Sequence, residues 1–337
     1  MKTIVVQPGT AFGSDPVLAQ QQAAAPAQPQ GHDLCIAVQA VSVNPVDSKL
    51  RRTATQVRIL GFDAAGTVTA VGPLAEDFEV GDRVYYAGDL TRPGSNAQLQ
   101  LVDSRLVAAM PSTLDFAHAA ALPLVSLTAW ELLFYRMPYQ LDCSRAQGRH
   151  LLVIGGAGGV GSMAIQLARH AGFQVTATAS REASAQWCRQ LGAHNVVNHH
   201  QPLAPQLAAL GLASCDVILN LADTDAYWQQ MGELIAPQGH VGLIVEPRGE
   251  LRIGDPYKAK SVSIHWEFMF TRSRFATADM AEQQRILKRV ASLVDAGALR
   301  SPHTQTLGAI SLANLQQAHA LVESGQTIGK LTLAGWD

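Results

Sequence analysis

One stretch limits what this chain can fold into more than any other: Leu151-Leu152-Val153-Ile154-Gly155-Gly156-Ala157-Gly158-Gly159-Val160-Gly161-Ser162. Gly156, Gly158 and Gly161 satisfy G-x-G-x-x-G directly after an apolar strand and at the start of an amphipathic helix carrying Ile165, Leu167 and Ala168. Glycines let the backbone turn tightly and approach a pyrophosphate, while the helix N-terminus supplies unpaired N–H groups and a partial positive charge. The competing reading is a glycine-rich turn in some other α/β protein. The strand before, the helix after and the next strand at Gln174–Ala179 favour a dinucleotide site, with Gly156, Gly158, Gly159, Val160 and Gly161 as its backbone.

From His150 onward strands and helices alternate. Strands are expected at Leu151–Ile154, Gln174–Ala179, Asn195–Asn198, Asp216–Leu221 and His240–Val245, with helices at Gly159–His170 and Glu182–Leu191. Such alternation indicates a doubly wound parallel sheet with helices on both faces. Gly172, Gly192, Gly297 and Gly325 each follow an apolar-periodic helix, where a left-handed cap favours glycine. A helix over Met280–Ala296 carries Ile286, Leu287, Val290, Leu293 and Val294 on one face. Before His150 the pattern differs. Short β-like runs broken by Gly, Pro and Asp predict a second, β-rich domain in the first 125 or so residues. Gln20 to Gln30, almost entirely Gln, Ala and Pro, reads as an exposed loop.

The 337 residues are enough for two domains, each with its own core. A formal charge of −2, with only 15% of residues charged, gives no electrostatic reason to expect nucleic acid or an anionic membrane as a partner. Cys35, Cys143, Cys188 and Cys215 lie far apart without a C-x-x-C pair, so neither a disulfide framework nor a clustered zinc site is encoded, and a reducing cytoplasm is the expected location. The first residues lack the long apolar region of a secretion signal. The apolar stretch from Ala117 to Phe134 contains Pro123, Ser126, Thr128 and Glu131 and reads as core with a turn, not as a membrane span.

Cofactor choice is read about twenty residues beyond the glycines, where an acid would bind the ribose 2′-hydroxyl of NAD. Here the strand ends in Ala179-Ser180-Arg181. A small neutral residue followed by arginine suits a 2′-phosphate, and one charge-assisted hydrogen bond of roughly 1.5–3 kcal/mol would favour NADPH about ten- to hundredfold. Arg181 as a solvated surface residue is the alternative. Glu182 is expected in the first turn of the next helix, where a carboxylate helps the dipole; reaching the ribose instead, it would weaken or reverse the preference.

With these residues placed, the chain resembles the medium-chain dehydrogenase/reductase superfamily, in its quinone oxidoreductase branch and the subgroup labelled zinc-type alcohol dehydrogenase-like proteins. The resemblance rests on Val43-Asn44-Pro45-Val46-Asp47-Ser48-Lys49, Gly61-Phe62-Asp63-Ala64-Ala65-Gly66, Tyr85 to Asp89 with Arg92 to Ala97, Ser126 to Glu131, the glycine motif, His265-Trp266-Glu267 with Phe270 to Ser273, and Gly329-Lys330. It implies a GroES-like catalytic domain from residues 1–125 and 300–337 around a Rossmann NADP-binding domain of residues 126–299, with the active site in the cleft between them. Zinc-dependent relatives have a Cys where this chain has Asn44, a His where it has Phe62, and a Cys or equivalent near Leu124. None of the three residues here offers zinc a suitable donor, and no cysteine lies between Asp82 and Asp103, where relatives hold structural zinc. No zinc is therefore expected; a site assembled from His32, Cys35 and His118 is the alternative.

Without a Lewis acid, reversible alcohol oxidation is a poor reading. Hydride addition to a quinone or an α,β-unsaturated carbonyl needs only positioning and a few donors. The resemblance places Asn44 beside the nicotinamide and Thr128 and Lys330 against the cofactor, with Asn44 in a structural turn and Lys330 on the surface as the alternatives. It gives the catalytic set Asn44, Asp47 and Lys49, where Lys49 either donates to an oxyanion or is solvated and Asp47 either orients Lys49 or pairs with another cation. His199 matches a position near the adenosine, or is solvated. Asn220 and Leu243 end strands at the carboxyl edge of the sheet, where dinucleotides bind. The segment Lys260–Phe270 alternates apolar and polar residues, with His265 and Glu267 on the less apolar face. In the family this strand pairs with its copy, so a homodimer through Ser261–Phe270 is expected. Two other functions stay open: an enoyl-thioester reductase, and a non-catalytic NADPH-binding protein.

Overall fold

The computed structural model describes residues 1–9, 16–141 and 144–337; Cys143 lies outside them. The chain begins with β1 (Lys2–Gln7), β2 (Val17–Gln22), β3 (Asp33–Ser42), α1 (Pro45–Arg52), β4 (Arg58–Ile59), β5 (Ala64–Val71), β6 (Arg83–Tyr86), β7 (Leu99–Asp103), β8 (Val107–Ala109), α2 (Phe116–Ala120) and α3 (Pro123–Glu131). Gln20, Gln21 and Gln22, expected in an exposed loop, instead lie in β2 opposite Ile4, Thr3 and Lys2. Backbone pairing to β1 makes the strand there, and an edge strand needs no apolar side chains for that. Residues 23–30 carry no regular structure. The expected turn in the apolar stretch falls between α2 and α3, where Pro123 opens the second helix, and α3 runs on into a π-helical turn, Leu132–Arg136. The stretch Phe116–Arg136 is long and apolar enough to cross a membrane by length and composition, yet most of it is buried inside the protein.

Next come β9 (His150–Ile154), α4 (Gly159–Ala171), β10 (Gln174–Thr178), α5 (Glu182–Gln190), β11 (Asn195–Val197), α6 (Leu203–Ala209), β12 (Cys215–Asn220), α7 (Thr224–Leu234), β13 (Ile235–Leu243) and β14 (Ser263–Trp266). The strands form one parallel sheet in the order β11-β10-β9-β12-β13-β14. β9 is flanked by β10 and β12, so the strand order reverses there, which opens a crevice at the carboxyl edge. Leu152, Ile154, Ile218 and Val241 are buried in its core, as a sheet covered on both faces requires. The expected strand over Lys260–Phe270 is cut short: β13 ends at Leu243, opposite Trp266, so the ladder stops there. From Trp266 on, burial runs opposite to the apolar pattern. Glu267 is buried, while Trp266 and Phe268 are 47% and 41% exposed.

The chain returns through α8 (Thr271–Arg274), α9 (Glu282–Asp295), β15 (His303–Thr306), α10 (Leu312–Glu323) and β16 (Lys330–Ala334). A seven-stranded sheet runs β15-β16-β3-β5-β6-β8 with β7 also on β3, and β2-β1-β4 make a smaller one. Gly172, Gly192, Gly297 and Gly325, read as helix stops, all have positive φ.

Two compact units result, Met1–Leu127 with Phe270–Asp337, and Thr128–Met269. Residues 270–299, assigned from sequence to the Rossmann domain, thus belong to the first unit. The reason is α9: Tyr85 Oη donates to the Leu287 carbonyl at 2.6 Å, and Gln284 Nε2 to that of Ser104 at 3.2 Å. An apolar helix stripe shows that a helix is buried, not which sheet it covers.

Candidate active site

In the second unit, the loop after β9 is shaped by what its glycines avoid. Gly155 has φ +85°. Its N–H donates to Thr178 Oγ1 at 3.1 Å, and the Gly156 N–H to the Thr178 carbonyl at 3.2 Å. A Cβ on Gly156 would lie 2.7 Å from the Ala177 Cβ, and one on Gly161 would lie 2.3 Å from the Gly155 oxygen. Those two glycines allow close packing. Gly158 differs: the nearest atom to an added Cβ, the Gly155 oxygen, is at an ordinary contact distance of 3.6 Å, so the fold leaves room beside the helix there. Gly158 is also the N-cap of α4 and supplies no side chain to cap it. The open N-terminus and the space over Gly158 fit a dinucleotide's pyrophosphate. Ser162 Oγ donates to the Gly158 carbonyl at 2.7 Å and accepts from Trp187 Nε1 at 2.8 Å, which ties the loop to α5. Sequence spacing missed both Thr178 and Trp187; the first is the last residue of β10, a detectable signal, whereas nothing in the spacing marks the second.

Ser180, Arg181, His199, Asn220 and Leu243 lie at or just past the carboxyl ends of these strands. Arg181 is exposed as the N-cap of α5; its N–H donates to Ser184 Oγ at 3.2 Å, and that hydroxyl donates to the Arg181 carbonyl at 2.7 Å. Ser180 precedes it, partly exposed. Glu182 sits in the first turn of α5, as expected, with its side chain 84% exposed and 3.3 Å from Arg189 Nη1. His199 follows β11, and its pKa is lowered by burial and by the charges of His200 and Arg181, so Arg181 is close enough for its charge to be felt there. Asn220 is buried and turned onto its own loop: Nδ2 donates to the Asp223 carbonyl at 2.9 Å, and Oδ1 accepts from the Ala222 N–H at 3.2 Å. Leu243 ends β13 in the core, and Thr128 is buried in α3.

In the first unit, a sealed polar cluster forms around Asn44, the N-cap of α1. The Asn44 N–H donates to Asp47 Oδ2 at 2.8 Å, and Asn44 Nδ2 to Asp63 Oδ2 at 2.9 Å. Asp47 Oδ1 accepts from the Gly61 N–H at 3.1 Å; Asp63 Oδ1 accepts from the Leu124 N–H at 2.7 Å. Lys330 is only 4% exposed, so it is no surface lysine. Its ammonium pairs with Asp63 Oδ2 at 2.9 Å and donates to the Val43 carbonyl at 3.1 Å and to Asn44 Oδ1. An ammonium has three protons, and these partners use all of them. Both ends of the Asn44 amide are thereby fixed. Burial pushes the Asp47 carboxyl up to about 7 against the pull of its backbone partners and Lys330. It pushes Asp63 up as well, with Lys330 opposing. Lys49 points elsewhere: it is exposed on α1 and joins none of these bonds. In the sequence Asp63 is only one member of the Gly61–Gly66 motif; its role shows only once Lys330, far along the chain, is placed against it.

This donor set does not fit a catalytic zinc. Asn44 Oδ1 already accepts from an ammonium, Leu124 offers a backbone N–H, and Phe62 packs edge-on against Phe270 with ring centres 5.5 Å apart. A second cation would meet the charge of Lys330. Among the described residues no three His, Cys, Asp or Glu side chains are placed to hold a metal. His32, Cys35 and His118 are therefore not assembled; His118 instead packs at a tilt against His303, ring centres 4.2 Å apart, and bonds Asp115 at 2.8 Å.

Residues 30–112 match the family model of the alcohol dehydrogenase GroES-like domain, and residues 191–333 that of the zinc-binding dehydrogenases. A zinc-type alcohol dehydrogenase-like protein of Staphylococcus aureus strain COL is 40% identical over 307 residues, 90% of this chain and 91% of its own length. A quinone oxidoreductase of Lama guanicoe is 36% identical over 57% of each chain. A solved structure from Rhizobium etli CFN 42, described provisionally as a zinc-dependent alcohol dehydrogenase, superposes with a TM-score of 0.89 at 45% identity, covering 100% of this chain and 99% of that one. The GroES-like and doubly wound units, the glycine loop and this likeness along nearly the whole length agree: the chain belongs to the medium-chain dehydrogenase/reductase superfamily, with the zinc-type alcohol dehydrogenase-like proteins, and is an oxidoreductase of that class.

Proposed function

We propose that the protein reduces quinones or α,β-unsaturated carbonyl compounds with NADPH and without zinc, as a cytoplasmic homodimer. The observation that carries this reading is the N-terminus of α4, which has no side-chain cap and an uncrowded glycine, Gly158, at its head, at the carboxyl edge of a parallel sheet. NADPH, when bound, supplies a hydride. The helix N-terminus and glycine loop hold its pyrophosphate, and Arg181 reads the 2′-phosphate with His199 nearby, while Glu182 lies along α5 toward Arg189. Asn44 presents a side chain whose orientation Asp63 and Lys330 fix.

The donors present support this acceptor class. Asn44, Phe62 and Leu124 provide no Lewis-acid site to polarise an alcohol, whereas a quinone or enone is already activated toward hydride. The dimer reading draws on β14, the terminal strand of its sheet, with Trp266 and Phe268 exposed at its end.

The test is NADPH oxidation by chelator-treated protein with phenanthrenequinone as acceptor and NADH in a paired assay. Turnover with NADPH that survives the chelator, and is at least about tenfold slower with NADH, is the expected result. Activity that vanishes with the chelator and returns with zinc overturns the metal-free reading. No turnover of either cofactor with quinones and enones alike leaves a binding protein instead.

A further inference from the structure

The head of α4 contains the peptide group that its own sequence holds least firmly. Gly158 and Gly159 are consecutive, so neither offers a side chain to steady the peptide between them, and each tolerates backbone angles that other residues avoid. That peptide matters for binding. The Gly159 N–H lies in the first turn of α4, where N–H groups have no partner within the helix, and it is one of the donors that a pyrophosphate would meet. A trans peptide is planar with its C=O and N–H pointing opposite ways, so whatever fixes the Gly158 carbonyl also aims the Gly159 N–H.

The carbonyl is held by two donors. It accepts from the Ser162 N–H at 2.8 Å and from the Ser162 hydroxyl at 2.7 Å, which occupies both of its lone pairs. The second bond depends on a hydroxyl proton that is free to rotate. Trp187 removes that freedom. An indole N–H only donates, and Trp187 Nε1 lies 2.8 Å from Ser162 Oγ, so the serine oxygen accepts there and its single proton is left for Gly158. Ser162 is 0% exposed, which keeps bulk water from competing for either bond. The controlling donor comes from outside the loop, on α5, 25 residues further along the chain. The same helix abuts the loop at a second point, since Cys188 Sγ lies 3.2 Å from where a Cβ on Gly156 would stand.

We infer that Trp187 is a positioning residue for the cofactor: through Ser162 it holds the Gly158–Gly159 peptide with its N–H turned toward the pyrophosphate, and so tightens NADPH and NADH alike. The inference rests on the dinucleotide reading above. It also divides the labour on one helix, because Arg181 at the N-cap of α5 discriminates between the two cofactors and Trp187 does not.

The experiment measures dissociation constants by titration calorimetry on the full chain for NADPH, NADH and adenosine 2′-monophosphate, which carries the 2′-phosphate but no pyrophosphate. Trp187→Phe, which keeps an aromatic ring and loses the donor, is expected to weaken NADPH and NADH by the same factor, about three- to tenfold, and to leave adenosine 2′-monophosphate within about twofold. Ser162→Ala is expected to do the same, and the double variant to lose no more than Ser162→Ala alone, because the two side chains act in series. A Trp187 that only packs α5 gives another pattern: displacing the helix moves Arg181 as well, so adenosine 2′-monophosphate weakens with the rest and the two losses add. The proposal is overturned by that pattern, or by Trp187→Phe binding NADPH within about twofold of the parent. Failure of the unaltered protein to bind either dinucleotide is a separate outcome and overturns the cofactor reading itself. If Trp187→Phe does not fold, Ser162→Ala against the three ligands decides alone.

Discussion

The two functional regions handle polarity in opposite ways. Around Asn44, charge is carried by side chains from distant parts of the chain and sealed from water: Asp47, Asp63 and Lys330 are each at most 4% exposed. At the glycine loop, consecutive residues present only backbone, and Arg181, just past the end of the next strand, stays exposed. Burying ions demands that every proton and lone pair find a partner, which makes the first region rigid and costly to disturb. Binding an outside anion with backbone N–H groups demands the reverse, vacant space and no competing side chain. Rigidity and vacancy are therefore separate properties of this protein, and each can be broken without the other.

The largest effect should come from Lys330→Met, which strands the buried Asp63. Destabilisation of about 3–5 kcal/mol is expected, read as a fall in urea midpoint and in Tm by calorimetry; adding Asp63→Leu should recover most of it. A single variant within about 1 kcal/mol of the parent would mean that the cluster is not sealed.

Next is the pH dependence of the same region. Folded Asp47 titrates near 7 against an ordinary 3.8. The folded state therefore keeps a proton that the unfolded chain has released, so this group's contribution is complete below about pH 4 and is lost as pH rises toward 7. The slope is at most ~1.4 kcal/mol per pH unit. Urea unfolding of wild type and Asp47→Asn from pH 4 to 8 isolates it: the difference between the two should change across that window and flatten above it. A constant difference would show Asp47 ionised throughout.

The glycines sharpen the other side of the contrast. Gly161→Ala forces a Cβ into backbone and should lower both stability and NADPH affinity, the latter by ~10- to 100-fold at 1–3 kcal/mol for overpacking. Gly158→Ala brings a methyl no closer than 3.6 Å to the Gly155 oxygen, so it should leave Tm within about 1 °C while still weakening NADPH, because an incoming ligand would meet that methyl. Equal Tm losses in the two variants would erase the distinction.

The smallest effects concern the exposed charges. Arg181→Ala should weaken NADPH by about tenfold and leave NADH unchanged, in parallel fluorescence titrations. Glu182→Ala, which removes an exposed pair, should alter stability by no more than ~0.5 kcal/mol and leave the NADPH/NADH ratio within about twofold. A larger gain in NADPH preference would mean that Glu182 reaches the ribose after all.

The contrast also explains what could be read in advance. A loop made of consecutive residues announces itself by spacing, so the glycine motif, the strands around it and the place of Glu182 in its helix were legible from Leu151 onward. The cluster was legible only in pieces. Asn44, Asp47 and Lys330 could be named, but that Lys330 spends every proton on Val43, Asn44 and Asp63 depends on a pairing across most of the chain that no local pattern encodes. Residues 270–299 went to the wrong unit for the same reason, since the stripe on α9 looks alike against either sheet. Local periodicity likewise extended β14 too far, because strand length is set by the partner, and β13 ends at Leu243.

The placement of β16 carries a consequence for how the protein is made. The strand lies between β15 and β3, and Ser42 Oγ bonds the Leu331 carbonyl across 289 residues of sequence. The second unit, by contrast, is one uninterrupted segment. During synthesis that segment can close its sheet while the first unit still lacks a central strand and the lysine that neutralises Asp63. Until translation has passed β16, therefore, the nascent chain carries an unpaired β-sheet edge and an Asp63 site without its counter-ion, so native contacts cannot complete the first unit before the last strand is made.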